Sequence, residues 1–325
     1  MISRRHIWAG AIAAAAAGVI PKTLQAQGRW PTRYVTIQIG NAAGGDDDTL
    51  TRVLADTVSA DIGQPVIVDN RPGGSTTVAG ASVARAEPDG HTLLCLITPG
   101  VIQTVLRQDL PYSLDSFAPI IKIGSYPLAL IVSAKAGIRS LDDIRAAASS
   151  DDGITFASGG VGTVGHLTST LFLNEMRGKG VHVSFKNNPE GLQALGGGFV
   201  QMIFASAREG AGLKNDPNFR VLAVTAPTRV SALPDVPTTA EIGYPNLDFR
   251  VWYSYVAPAG VDPEIINRLS NSISKGVSDA RFQERFAPLS FQTEILTGEE
   301  FSRFLRSEAD RFRRIIVAND IRLGG

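Results

Sequence analysis

The chain has 325 residues, 44% of them hydrophobic and 7% aromatic, and its 31 lysines and arginines balance 31 aspartates and glutamates. That length is enough for about two domains of ordinary size. A charged fraction of 19% excludes disorder along the whole chain, and zero net charge leaves no basic footprint for nucleic acid. The single cysteine, Cys95, excludes an internal disulfide framework and a cysteine-rich zinc module.

Residues 1–5 are short and basic, 9–20 form an alanine-rich apolar run, and a polar stretch ends in Leu24-Gln25-Ala26. This order predicts an export signal over residues 1–26, with an apolar run too short to span a bilayer. Ser3-Arg4-Arg5 resembles a twin-arginine pattern, but Ile7-Trp8 stands where Phe-Leu is usual, so the Sec and Tat routes both stay open. Cleavage after Ala26 removes three cations and no acid, which leaves 28 cations against 31 acids and a formal charge of −3. No later segment reaches the roughly 18 uninterrupted apolar residues of a membrane helix. A soluble periplasmic protein is the expectation.

Along the mature chain, 34–39 reads as a strand and Ala43-Gly44-Gly45 as a turn. Leu50, Val53, Leu54, Val58 and Ile62 then recur at helical spacing until Gly63. Residues 64–68 read as a strand, 70–74 as a loop, 78–86 as a helix and 92–97 as a buried strand. The rhythm repeats with a strand at 154–157, a glycine loop at 159–165 and a helix at 166–176. Further strands are expected at 181–185, 201–204 and 220–225. Two amphipathic helices, 263–277 and 298–316, close the chain. Residues 128–133 and 250–257 are apolar segments flanking the second unit, expected to be strands that cross between two α/β lobes.

The most enzyme-like signal is Gly160-Val161-Gly162-Thr163-Val164-Gly165, which fits G-x-G-x-x-G between a strand and a helix. The acid expected about 20 residues later is missing, since the next strand ends in Phe185-Lys186-Asn187. What remains is a helix start that offers N–H groups to an anion, with Thr163 adding a hydroxyl. Ala43-Gly44-Gly45-Asp46-Asp47-Asp48 is the matching turn in the first lobe, with Asp48 read as the helix N-cap. His91, His166 and His182 stand in no catalytic pattern, Cys95 lies in an apolar strand, and the three consecutive aspartates lack metal-site spacing. No catalytic residue, metal or cofactor is expected.

Several further stretches then align with a known pattern: Gly63-Gln64-Pro65-Val66, Asn70-Arg71-Pro72-Gly73, Pro88-Asp89-Gly90-His91-Thr92-Leu93-Leu94, Ala232-Leu233-Pro234-Asp235-Val236-Pro237-Thr238, and Trp252 with Ala257-Pro258-Ala259-Gly260. With Ala43-Gly44-Gly45, Asp48, Gly162-Thr163 and His166-Leu167, their order resembles the Bug-type (TctC-like) substrate-binding proteins of tripartite tricarboxylate transporters. The resemblance runs from about Pro31 to about Ile321. It implies a type II periplasmic-binding-protein fold, with two α/β lobes around a ligand cleft joined by two crossing strands. Lobe 1 would be 27–128 plus 253–325, and lobe 2 would be 129–252.

The resemblance also implies ligand-binding residues: Ala43, Gly44, Gly45 and Asp48 in the first lobe, and Gly162, Thr163, Val164, Gly165 and His166 in the second. Thr98 falls where the family places a hydroxyl facing the cleft; Asp46, Asp47, Ser206 and Tyr253 are secondary candidates. The implied function is a monomeric receptor that closes on a small carboxylate and delivers it to membrane transporter subunits or a sensor. Asp46 and Asp47 depart from the family, which has small hydroxyl residues there. A carboxylate about 6 Å from a bound carboxylate would repel it by roughly 3 kcal/mol. These acids are therefore expected either to face solvent, the favoured reading, or to select an amine-bearing or neutral ligand. An orphan receptor, and an exported enzyme using the 160–165 loop, are the competing readings.

Overall fold

The computed structural model describes residues 30–322, so the export signal expected over 1–26 lies outside the described residues. Strands and helices alternate from the start: β1 (Val35–Ile39), α1 (Asp46–Ile62), β2 (Val66–Asn70), α2 (Thr77–Ala84) and β3 (Thr92–Ile97). β2 and β3 flank β1, both parallel to it. β2 begins and ends two residues later than its apolar pattern predicts. Its register pairs Val35 with Val66 and Ile39 with Asn70, so it runs as far as its partner does. α1 buries Leu50, Leu54, Val58 and Ile62, and Gly63 ends it in the left-handed conformation (φ +76°).

Two elements depart more from the sequence reading. α3 (Thr98–Leu106) follows β3 directly, in a stretch where the sequence reading placed no helix; proline is well suited to the first helical turn, where its missing N–H costs nothing. β4 (Phe117–Ser133) has 17 residues, of which only the last six were expected. Pro119 and Pro127 disguise its first part, and register shifts between Pro119 and Ile121 and between Lys122 and Gly124 break its pattern. Gly124 has φ +147°, and a Cβ there would lie 2.3 Å from the Gln292 carbonyl oxygen, so this bend requires glycine.

β4 is shared by two groups of strands. Residues 117–127 pair antiparallel with β9 (Arg250–Pro258), and β10 (Gln292–Thr297) also pairs with this part. Leu128–Val132 pair with β7 (Met202–Ser206), and Ala129–Ser133 with β8 (Phe219–Val224). β9 also pairs with β3, which gives the strand order β2-β1-β3-β9-β4-β7-β5-β6, where β5 is Ile154–Ser158 and β6 is Gly180–Ser184. Successive side chains of β4 serve different cores: Leu128, Leu130 and Val132 join one, Ala129 and Ile131 the other.

Between the strands of the second group lie α4 (Leu141–Ala148), α5 (Val164–Glu175), α6 (Asn188–Gly197) and α7 (Ala207–Leu213). The chain ends with α8 (Pro263–Ser278), α9 (Ala280–Phe286) and α10 (Gly298–Ala318). α8 packs on α1 and α10 on α3, so the C-terminal segment completes the first group. Among the described residues, no helix is long and apolar enough to cross a membrane. The result is two α/β lobes that share β4.

Candidate functional site

The first-lobe turn leaves β1 and enters α1. Gly44 takes φ +88°, a conformation that glycine adopts without strain, and Ala43 and Gly44 are exposed. Gly45, not Asp48, is the helix N-cap. Asp48 lies within the first turn of α1, where its carboxylate accepts the Gly44 N–H at 2.9 Å and pairs with Arg52 at 2.9 Å. Burial would raise its pKa, but Arg52 and the Gly44 amide outweigh this and hold it below the usual range. Asp48 therefore shapes the turn.

Asp46 and Asp47 do not face solvent as expected. Asp47 is only 3% exposed, accepts a hydrogen bond from Asn41 Nδ2 at 2.8 Å, and draws on its own amide and that of Asp48. Burial pushes its carboxyl up to about 6 against those hydrogen bonds. Its carboxylate thus occupies part of the anion site that the start of α1 would otherwise offer. Asp46 reaches the other lobe, where its Oδ1 meets a guanidinium nitrogen of Arg208, in the first turn of α7, at 2.9 Å. Burial raises the Asp46 pKa even with Arg208 beside it, and nearby Glu209 adds to the rise. Both acids turn inward because each has a partner there.

The second-lobe turn, 159–165, leaves β5 and enters α5. Gly162 has φ +75°, and its N–H donates to His166 Nδ1 at 3.1 Å. Thr163 is the N-cap; its hydroxyl donates to the Gly160 carbonyl at 2.8 Å and accepts from the His166 amide. That hydroxyl is committed within the turn, contrary to the expected ligand donor. Gly165 is needed for packing, since a Cβ there would sit 2.4 Å from the Phe204 carbonyl oxygen of β7. Val164 is buried beside it in the core.

His166 is 8% exposed and stacks on His182, with ring centroids 3.9 Å apart and planes at 15°. His182 stacks in turn on Phe156 and contacts Ser158 Oγ at 2.7 Å. Burial and the second imidazole hold His166 down to about 4. The pair lines a cavity of about 390 Å³ with Asn174 and Arg322. A separate cavity of about 210 Å³ lies against β4, β9 and α10, where the buried Lys122 pairs with Glu294.

Three remaining candidates have structural partners. Thr98 begins α3 instead of ending β3 and has no exposed surface; its hydroxyl accepts the Trp252 N–H at 2.8 Å and donates to the Arg250 carbonyl at 3.2 Å. It braces β9 and does not face the cleft. Ser206 closes a capping box with Glu209 at the start of α7. Tyr253 is buried edge-on to Tyr126, and burial, with Asp46 and Asp47 nearby, raises its pKa.

Two residues that the sequence reading passed over lie where the lobes meet. Arg208 is one; its only sequence cue is the Ser206-Ala207-Arg208-Glu209 capping box, which marks a helix start. Gln103 of α3 is the other. Its Nε2 is buried without a hydrogen-bond partner and lies 3.0 Å from where a Gly162 Cβ would be, with Ile102 and Leu106 against the same turn.

Comparison with known proteins agrees with this architecture. The family model described as "Tripartite tricarboxylate transporter family receptor" matches residues 50–321. The "UPF0065 protein in tcbD-tcbE intergenic region" of Pseudomonas sp. (strain P51) is 30% identical over 320 residues, 97% of this chain and 94% of its own length. Protein BugT of Bordetella pertussis is 29% identical, with 88% of this chain and 89% of that protein covered. Among solved structures, Rpa4515 of R. palustris, solved with adipate, has 25% identity and a TM-score of 0.81 over 90% of this chain and 99% of that one. The periplasmic binding protein BugD shares the fold, with 24% identity and a TM-score of 0.78 over 90% of this chain and 99% of that one. With a match that takes in both lobes, the chain belongs to the tripartite tricarboxylate transporter receptor family, TctC.

Proposed function

We propose that the protein is an exported solute receptor that closes its two lobes on a small carboxylate-bearing molecule and hands it to a tripartite membrane transporter. The observation that carries this reading is the Asp46–Arg208 contact, which joins the start of α1 in one lobe to the start of α7 in the other. A contact of that kind exists only when the lobes are together, so a ligand reaching both walls shifts the population toward closure. Lobe 1 is taken as 27–128 plus 253–325 and lobe 2 as 129–252. The change of strand partners along β4 between Pro127 and Leu128 supports that division. The adipate-bound relative supports a carboxylate as the ligand class.

The ligand site is placed between the turns at Ala43–Asp48 and Gly162–His166. With the side chains of Thr163, His166 and Asp48 committed inside their own turns, these segments would act through backbone and shape. The export signal over 1–26 would deliver a monomer to the periplasm. The test is a thermal-shift screen of the purified protein against mono-, di- and tricarboxylates, aromatic acids, amino acids and polyamines. A ligand at 100 times its Kd adds about 2.7 kcal/mol, enough to raise the melting temperature by several degrees. Stabilisation by a carboxylate-bearing compound is expected; a panel in which none of them stabilises the protein overturns the reading.

A further inference from the structure

We infer that the solute is an amino-carboxylate, whose ammonium group is taken by Asp46 and whose carboxylate is taken by Arg208. This rests on the receptor reading above and narrows its ligand class. When the lobes part, the Asp46–Arg208 pair must separate, leaving an anion on one wall of the cleft and a cation on the other. A plain carboxylate entering that gap can satisfy Arg208, but it leaves Asp46 with no cation as the walls close. A plain amine makes the opposite error. A molecule with both charges inserts into the pair and satisfies both ends.

The surroundings favour the ammonium at the first lobe. Arg208 is the cation paired with Asp46, while Glu209 also acts on Asp46, and Asp47 lies buried one residue along. Burial is the main cause of the raised pKa of both aspartates, and Glu209 beside Asp46 and Asp46 beside Asp47 add negative charge that a second carboxylate would increase. The start of α1 has little to offer an incoming carboxylate, because the Asp47 carboxylate already draws on the first amides. A separate feature points to a ligand carboxylate. Gln103 is 1% exposed, and its unpartnered Nε2 faces the Gly162 turn at the junction of the lobes. A buried amide donor without an acceptor is costly, and a carboxylate oxygen would fill that need.

The test uses matched probes, each carboxylate beside its amino counterpart: propionate and alanine, succinate and aspartate, adipate and 2-aminoadipate, 3-phenylpropanoate and phenylalanine. Calorimetric titration of the purified protein should show at least one amino compound binding about tenfold or more tighter than its partner. Asp46→Asn and Arg208→Gln should each weaken that binding about tenfold or more, with melting curves of the unliganded variants showing that both fold. A carboxylate that binds as tightly as its amino counterpart, or variants that bind the amino compound like the parent, overturns the inference and leaves the receptor reading standing. Absence of binding across every pair overturns the inference; only silence across the wider screen removes the receptor reading too.

Discussion

Thr98 holds the backbone of Trp252. One side-chain oxygen accepts the Trp252 N–H at 2.8 Å and donates to the Arg250 carbonyl at 3.2 Å, tying the start of α3 to the start of β9. Thr98→Val keeps the shape but leaves the buried Trp252 N–H without an acceptor. The expected cost is about 1–3 kcal/mol, read from urea unfolding, and Thr98→Ser should recover most of it. A Val variant as stable as the parent would mean that the strand does not need this brace.

His166 makes the second-lobe turn sensitive to acid. Its Nδ1 accepts the Gly162 N–H, which a protonated ring nitrogen cannot do. Native His166 titrates at about 4 against an ordinary value of 6.5. The unfolded chain therefore takes up a proton first, and stability from this group is lost as pH falls from 6.5 to 4. The loss amounts to about 3 kcal/mol at most. His166→Asn, with an acceptor near the Nδ1 position, should lose less stability over that range. Parallel melting curves at pH 4.5 and 7 for both proteins would refute this.

Asp47 works in the opposite direction. Its native carboxyl titrates at about 6 and its unfolded one near 3.8, so ionisation favours the unfolded chain. Its contribution to stability falls as pH rises from about 3.8 to 6, by roughly 3 kcal/mol at most, and is then constant. Asp47→Asn should gain on the parent across that window and hold its advantage at pH 7. Denaturant midpoints at pH 4, 5, 6 and 7 measure it, and a variant that loses ground as pH rises contradicts it.

Gly44 and Gly165 should respond differently to alanine. At Gly44 nothing lies within 4 Å of a new Cβ, but φ is +88°, so Gly44→Ala should cost about 1 kcal/mol from backbone strain. At Gly165 the obstacle is the Phe204 carbonyl at 2.4 Å, and α5 must move away from β7. Gly165→Ala should cost about 1–3 kcal/mol or more and disturb the second-lobe turn. Equal melting temperatures for the two variants would show that the close approach has slack.

Local patterns were legible where a single element decides them. β3 lies where its apolar run predicts, and α1 ends at Gly63 as its periodicity requires. Both glycine turns lie between a strand and a helix, as the motifs imply. The first part of β4 was hidden because Pro119 and Pro127 are breakers in a sequence, yet are tolerated here in a strand with shifted register. The partners of the site were less accessible still. Asp46 and Arg208 are far apart along the chain, and nothing local in Asp46-Asp47-Asp48 distinguishes an acid facing water from one facing a guanidinium. Thr98 was expected at the cleft because the resemblance puts a hydroxyl there; the helix that begins at this residue redirects it toward β9.

β4 also determines how the molecule can be divided. A strand whose first part completes one lobe and whose last part completes the other belongs to neither half alone. Expressing either lobe separately, with or without β4, would bare a strand edge that the intact chain keeps paired. A chimaera that grafts the second lobe of a relative onto this protein would have to join inside this strand, preserving its register on both sides. Exchange of single loops, which leaves β4 whole, is the route by which a new ligand preference could be installed without rebuilding the frame.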